Sequence, residues 1–422
     1  MSGLSPLIAS VLFLLLAAQV AHGTIFRNAV QAASGAAGFA ALNVIAHGAI
    51  IFLALTIPVC RERLGRFKAV WLLTIAYGAV VIVATMRNVP GVTGARGLEA
   101  LLVPLTILSL GSCLPILLGR KDYDRLFCGL VAMFALSAVV SLWLVLTERV
   151  TFFGQPLQVP PDRRGGALSA SGLYVHRNTI GAFLQCVPAV ALSLVAGRSA
   201  GERSRRSELI RRWVGIPALF LVFLHLALTF SRSSQIVALL SVLPFVAAGA
   251  RERPRAARLL GAAIAIAAAI VLVSVTELRD YVGLGWSMRG RESIWRAVVE
   301  ALGEHPWLGF GLLNFEFRTP YRSHTPHNVY LAQVAYFGVI GLGLFLGVLV
   351  AFGRLVRDTL RAARDRSTLA FALLLAGMLL QGLVEYIVTF PIFFANSMFW
   401  IVLGLAARDP RRTMPAGRSE TT

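Results

Sequence analysis

Apolar residues in this chain fall in long blocks. Stretches of nearly uncharged residues recur from end to end, separated by short segments rich in arginine. An α-helix needs roughly 20 apolar residues to cross the hydrocarbon of a bilayer. Twelve stretches meet or approach that length, at about 4–22, 37–59, 69–86, 97–118, 127–147, 179–197, 214–230, 235–250, 259–276, 329–352, 367–389 and 392–407. The pattern predicts an all-α, polytopic integral membrane protein of about 12 transmembrane helices. The first stretch lacks a basic start, and "AQVAHGT" at its end is only a fair cleavage site, so it is read as a retained span. Residues 1–407 are then one transmembrane domain, followed by a basic tail, 408–422, expected to be disordered.

Composition agrees with this reading. Of 422 residues, 57% are hydrophobic and only 14% charged, against about 25% charged in an ordinary soluble domain. That excludes a disordered chain, a secreted disulfide scaffold and a soluble enzyme. The formal net charge of +20 would suggest nucleic acid in a soluble protein. Here the cations sit between apolar blocks, so they report topology and no nucleic-acid partner is expected. Segments 61–68, 120–125, 198–213, 251–258, 354–366 and 408–422 hold 26 of the 40 Lys and Arg residues. Short basic loops stay in the cytoplasm, so both termini are expected there. Cys60, Cys113, Cys128 and Cys186 all fall in or beside apolar blocks, so no disulfide framework is implied.

Two outer loops are long, about 148–178 and about 277–328, the second between spans nine and ten. That second loop is too long for a plain connector. Within it Ile294, Trp295, Val298, Val299 and Leu302 recur at helical spacing, opposite Glu292, Arg296 and Glu300. This is an amphipathic helix, expected to lie on the membrane or on the span bundle. "HPWLGFG" then ends it.

The outer side also carries arginines: Arg163, Arg164 and Arg177 in the first long loop, Arg232 in "LTFSRSSQ", read as a four-residue turn, and Arg289 and Arg291 before the amphipathic helix. The carboxylates near them in the sequence are Glu148, Asp162, Glu277, Asp280 and Glu292. A guanidinium fork matches phosphate oxygens and stays charged at any relevant pH. Several together would suit a phosphate or diphosphate; the competing reading pairs them with those carboxylates or with lipid phosphates. His324 and His327 precede the span that starts near Asn328. Histidine is the side chain whose ordinary pKa, about 6.5, allows base chemistry near neutrality. A metal pair is the alternative, but Pro326 lies between the two and no third ligand is near; a histidine that caps the next helix is another. His176 and His305 are weaker candidates, and His47 and His225 lie within spans as packing or hydrogen-bonding residues.

Three blocks in this order resemble the O-antigen ligase family, the WaaL-like branch of the ligase and polymerase superfamily. They are "GLYVHRNTIGAFL", "LTFSRSSQIVALL", and "GRESIWRAVVEALGEHPWLGFGLLNF" followed by "HTPHNVYLAQVAYFGVIGLGLFLGVL". The resemblance covers about residues 165–352. It implies glycosyl transfer at the periplasmic face of the bacterial inner membrane. Glycan would pass from undecaprenyl diphosphate to a hydroxyl of the lipid A–core oligosaccharide, with no metal, nucleotide or other cofactor. The family's essential histidine matches His327 and its essential arginines match Arg232 and Arg291. Arg289 and Arg177 are further candidates for the donor diphosphate, although many relatives carry lysine where Arg177 stands. Asn328, His324, Asn178 and His176 are the supporting positions. A lipid diphosphate is already a good leaving group, so one base and several cations suffice, in keeping with the lack of a conspicuous carboxylate pair. The first outer loop, "TIFRNAVQAASG", has no acid, unlike that of metal-dependent lipid-linked glycosyltransferases.

Two alternatives remain. A polymerase of the same superfamily would extend the glycan on its carrier. A twelve-span transporter is supported by the six-plus-six division around 198–213 and by "RERLGR" at 61–66, which resembles a major facilitator motif. Glu62 and Pro58 depart from that motif, and the spans hold few of the central ionisable groups that transporters use.

Overall fold

The structure is a computed structural model, and it describes residues 4–22, 24, 27–88, 94–147, 151–152, 155–156, 173–174, 177–196, 216–229, 231–252, 289–312, 326–363, 366–385 and 394–408. Apart from turns and short connecting segments these are helical, with a two-residue strand pair, Thr151–Phe152 with Gln155–Pro156, and one bridge between Thr24 and Tyr174.

In chain order the helices are α1 (Leu4–His22), α2 (Arg27–Thr56), α3 (Pro58–Leu64), α4 (Lys68–Asn88), α5 (Gly94–Thr106), α6 (Leu114–Leu117), α7 (Arg120–Leu146), α8 (Arg177–Leu184), α9 (Val187–Ala196), α10 (Ile216–Leu228), α11 (Arg232–Glu252), α12 (Arg289–Leu302), α13 (Val329–Ala363), α14 (Arg366–Gln381) and α15 (Phe394–Ala406). A 3₁₀ turn joins α3 to α4, and a π-helical segment, Ile107–Cys113, joins α5 to α6. Among the described residues, six stretches are long and apolar enough to cross a membrane: Ser5–His22, Ala37–Thr56, Pro58–Arg87, Arg96–Leu117, Lys121–Leu144 and Val329–Ala362. Five shorter apolar helices lie at Asn178–Leu194, Pro217–Leu228, Arg232–Ala247, Arg366–Gln381 and Phe394–Ala406. The predicted span 259–276 lies outside the described residues.

The packing reverses the soluble pattern. Large apolar side chains are exposed in rows one helical turn apart, such as Leu7, Val11 and Leu14 on α1 and Leu136, Val139 and Trp143 on α7. Buried among the helices are Asn43, His47, Thr74, Ser109, Ser112 and Gln333. Water would penalise that outer surface, whereas lipid does not, and between helices polar side chains bond to one another. His47 Nδ1 lies 2.7 Å from Ser109 Oγ, and Tyr77 donates to Gln333 Oε1 at 2.6 Å. The chain is a multi-pass membrane protein.

α13 sets the polarity of the bundle. Its C-terminal end carries Arg354, Arg357 and Arg361. Near there Arg66 donates to the Leu355 carbonyl and to Thr359 Oγ1, and Thr359 also reaches the Arg408 carbonyl. Its N-terminal end, about 50 Å away for a helix of this length, is where the predicted site residues lie.

α13 is broken at Gly338, whose φ of 66° lies in the left-handed region. The break frees backbone groups that must be paired elsewhere. "HPWLGFG" supplies the partners. Val339 and Ile340 donate to the carbonyls of Pro306 and Trp307, while Phe310 and Gly311 donate to those of Ala335 and Tyr336. Gly309 and Gly311 also have positive φ, and a Cβ at Gly338 would overlap the Trp307 carbonyl. The glycines of this stretch thus seat the segment after α12 inside a transmembrane helix.

Several boundaries differ from expectation. α2 begins ten residues earlier than predicted and takes up most of the first outer loop. α7 and α13 extend through the basic segments 120–125 and 354–363. Arg232 is the first residue of α11 rather than part of a four-residue turn. The turn is shorter because Ser231 N–H donates to Thr229 Oγ1, and Gln235 donates to the carbonyls of Leu226 and Ala227. α14 ends at Gln381, not at 389, because Gly382 stops it and a turn follows. α12 lies on the bundle against α13, burying Ile294 and Val298, but Val299 is exposed.

Candidate functional site

The site gathers where α8, α11, α12, α13 and α14 meet. Its framework is a strap just before α13. Asn328 caps that helix, its Oδ1 accepting from Tyr330 and Leu331 N–H at 2.9 Å each. Its Nδ2 donates to the Leu383 carbonyl at 2.9 Å, and Val329 N–H donates to the Gly382 carbonyl at 2.7 Å. From the other side Trp295 Nε1, on α12, donates to the Pro326 carbonyl at 2.9 Å. His327 is held between these anchors with φ at 48°, the one non-glycine residue with positive φ among the described residues. Such a backbone persists only where its surroundings over-determine it.

Glu385, in the turn after α14, is the hub. Its Oε1 accepts from Arg291 Nη2 at 2.7 Å and from Asn178 Nδ2 at 2.9 Å. Its Oε2 lies 3.9 Å from His327 Nδ1, within ion-pair range but beyond a hydrogen bond. The Glu385 side chain is 12% exposed, against 31% for Arg291 and 40% for His327. The carboxylate is therefore the inner member, and the arginine and histidine stay open to an incoming molecule.

Arg232 stands at the same end of the bundle. The helix start it shares with Ser233 and Ser234 is tied to Gln381, whose Nε2 donates to both serine hydroxyls at 3.0 and 2.9 Å. α8 packs there too, since a Cβ at Gly181 would collide with Ser231. Arg232 itself is exposed. A cation at a helix N-terminus opposes the helix dipole, whereas an anion there satisfies both.

Of the predicted site residues, the structure thus brings Arg291, His327 and Asn178 together around one carboxylate, with Arg232 and Asn328 in the surrounding frame. The Asn328 bonds shown all go to backbone groups, not to the His327 ring. Arg177 and Arg289 open α8 and α12, but their side chains lie outside the described residues, as do His176, His324, Arg163 and Arg164. Among the described residues, no three His, Cys, Asp or Glu side chains form a group suited to a metal ion.

Sequence reading missed Glu385. The predicted span 367–389 enclosed it, and it was absent from the carboxylates set beside the arginines. Arg291 does pair with a carboxylate, as the competing reading of the arginines held, though not with one of those considered. The missed signal was Gln381-Gly382, a helix stop that puts Glu385 beyond the span.

The fold is that of a multi-pass membrane protein with a polar cluster at one end of an apolar bundle. Residues 217–346 match the family model described as O-Antigen ligase. Arg232, Arg291 and His327 lie inside the matched stretch, while Asn178 and Glu385 lie outside it. No curated protein matches the chain.

Proposed function

We propose that this protein is an O-antigen ligase of the WaaL-like branch. It transfers glycan from undecaprenyl diphosphate to a hydroxyl of the lipid A–core oligosaccharide at the periplasmic face of the inner membrane. One observation carries the reading. A guanidinium and an imidazole from segments 36 positions apart in sequence share one carboxylate, and each keeps an open side. These are the two kinds of group such a transfer needs. Arg291 and Arg232 receive the charge that develops on the departing diphosphate. His327 takes the proton of the attacking hydroxyl, since free alkoxide is negligible near neutrality. The position of the cluster, at the end of α13 opposite the arginine-rich end, supports a periplasmic site, because short basic segments stay in the cytoplasm.

The test is product identity. Purified protein, lipid-linked glycan and lipid A–core should yield lipopolysaccharide without added nucleotide or divalent metal. Lengthening of glycan on the undecaprenyl carrier would make the protein a polymerase instead. Complete loss of activity in chelator, restored by a metal, would overturn the metal-independent mechanism.

A further inference from the structure

Glu385 lies outside the family match, yet it contacts both residues on which the proposed transfer depends. Its two oxygens are divided between them: Oε1 takes Arg291 and Asn178, and Oε2 faces Nδ1 of His327. A buried ion pair is weak evidence for a role in stability. Two further features give this one a direction. The turn that carries Glu385 also supplies the carbonyls of Gly382 and Leu383, which accept from Val329 N–H and the Asn328 side chain, so the segments bearing carboxylate and histidine are fastened to each other. His327 adopts a left-handed conformation within that fastening, which sets the direction in which its ring leaves the chain.

The geometry points to Glu385 as the positioning residue of the transfer: it turns Nδ1 of His327 inward, leaving Nε2 for the acceptor hydroxyl, and holds one Nη of Arg291 so that the rest of the guanidinium meets the diphosphate. This rests on the reading of the site as a glycosyltransferase. In the step, the acceptor oxygen bonds to the anomeric carbon. The bond from that carbon to the diphosphate oxygen breaks, and its electron pair leaves with the diphosphate. The hydroxyl proton passes to Nε2 of His327. The imidazolium so formed faces Oε2 across Nδ1–H. At 3.9 Å the resting contact is loose. Closing it by about 1 Å would make a charge-assisted hydrogen bond. The contact therefore strengthens as the base takes up its proton, and an interaction stronger in the transition state than in the ground state is what lowers the barrier. A carboxylate behind a working histidine has the further effect of selecting the ring tautomer.

Glu385→Gln keeps the shape and the Oε1 acceptor but removes the charge. With lipid-linked glycan and lipid A–core as substrates, kcat should fall about 10–100-fold, a typical cost for losing an outer partner. KM for the lipid-linked donor should stay within about threefold, since loss of transition-state binding appears in kcat. Glu385→Asp, which keeps the charge on a shorter stem, should recover part of the loss. On a His327→Ala background the Gln substitution should cost less than about twofold, because residues acting as a unit are not additive. Wild-type kcat in Glu385→Gln, a tenfold rise in KM at unchanged kcat, or multiplying losses in the double variant would each overturn the assignment. Nitrogen-15 histidine spectra of the wild-type protein in detergent give a reading that needs neither turnover nor a Glu385 variant. The signal missing in His327→Asn should show the proton on Nδ1, and a proton on Nε2 alone would overturn the proposal. If the wild-type chain transfers no glycan, the functional reading fails by itself, and the tautomer still decides whether Glu385 orients His327.

Discussion

Asn328 separates helix capping from the positioning of His327. Its side chain makes three bonds to backbone: two accepted from Tyr330 and Leu331 N–H, and one donated to the Leu383 carbonyl. Asn328→Ala removes all three. Loss of an N-cap costs about 1 kcal/mol. Loss of the bond to Leu383, a residue 48% exposed, adds the net worth of one hydrogen bond, about 0.5–1.5 kcal/mol. The total is about 1.5–2.5 kcal/mol, at a residue only 8% exposed. Asn328→Asp is the sharper test. Aspartate caps as well as asparagine, so the two accepted bonds remain. Only the donor to Leu383 is lost, and an anion now faces that carbonyl. A local cost of about 0.5–1.5 kcal/mol lowers the ratio of seated to unseated strap by roughly 2–13-fold, at tenfold per 1.36 kcal/mol. Thermal unfolding in detergent and single-turnover glycan transfer should therefore diverge. Asn328→Ala should lose both stability and transfer. Asn328→Asp should unfold within a few degrees of wild type, on the order of the shift from 1 kcal/mol, while transfer falls by at least about twofold. Full transfer by Asn328→Asp would refute the argument that these backbone bonds hold His327 in working position.

Arg291→Lys keeps the charge but cannot both bond Glu385 and present a fork to the diphosphate; transfer should fall at least tenfold with normal membrane insertion, and full activity would make the residue a generic cation. His327→Ala should retain donor binding while losing at least about 99% of transfer, in line with the 10²–10⁴-fold that a positioned base contributes; equal loss of donor binding and turnover, from paired titration and single-turnover measurements, would remove it as the base. Gly338→Ala places a side chain against the Trp307 carbonyl at positive φ; the strained backbone alone costs about 1–3 kcal/mol, and size-exclusion chromatography of the detergent extract should show a reduced yield of monodisperse protein. A normal yield would mean that the break in α13 is dispensable.

Site residues were legible where chemistry stands out against its background. Arg291 and His327 are charged or titratable residues beside apolar blocks, and both lie in the cluster. Glu385 has the same contrast but was masked by its position, because a hydropathy window extends over a single carboxylate at the end of an apolar run. The backbone was less legible still. "HPWLGFG" reads as a loop ending a helix, and in part it is, but its main contact is with the break at Gly338, 29 residues beyond Gly309. Trp295 reads as one more apolar residue of an amphipathic helix, while its indole N–H holds the strap at Pro326.

Local sequence determined that the chain is helical, that it belongs in a membrane and which ends of its helices carry charge. These follow from transfer free energies, which accumulate residue by residue along a span and need no knowledge of neighbours. Only tertiary structure decided which charges meet. Arg291, Asn178 and His327 converge on Glu385 because four segments far apart in the chain end at one level of the bundle. That level is set by two bonds: the Asn328 side chain donates to the Leu383 carbonyl, and the Val329 backbone amide donates to that of Gly382. A hydrogen bond between carbonyl and amide leaves almost no mark on residue identity, since every residue but proline can donate and all can accept.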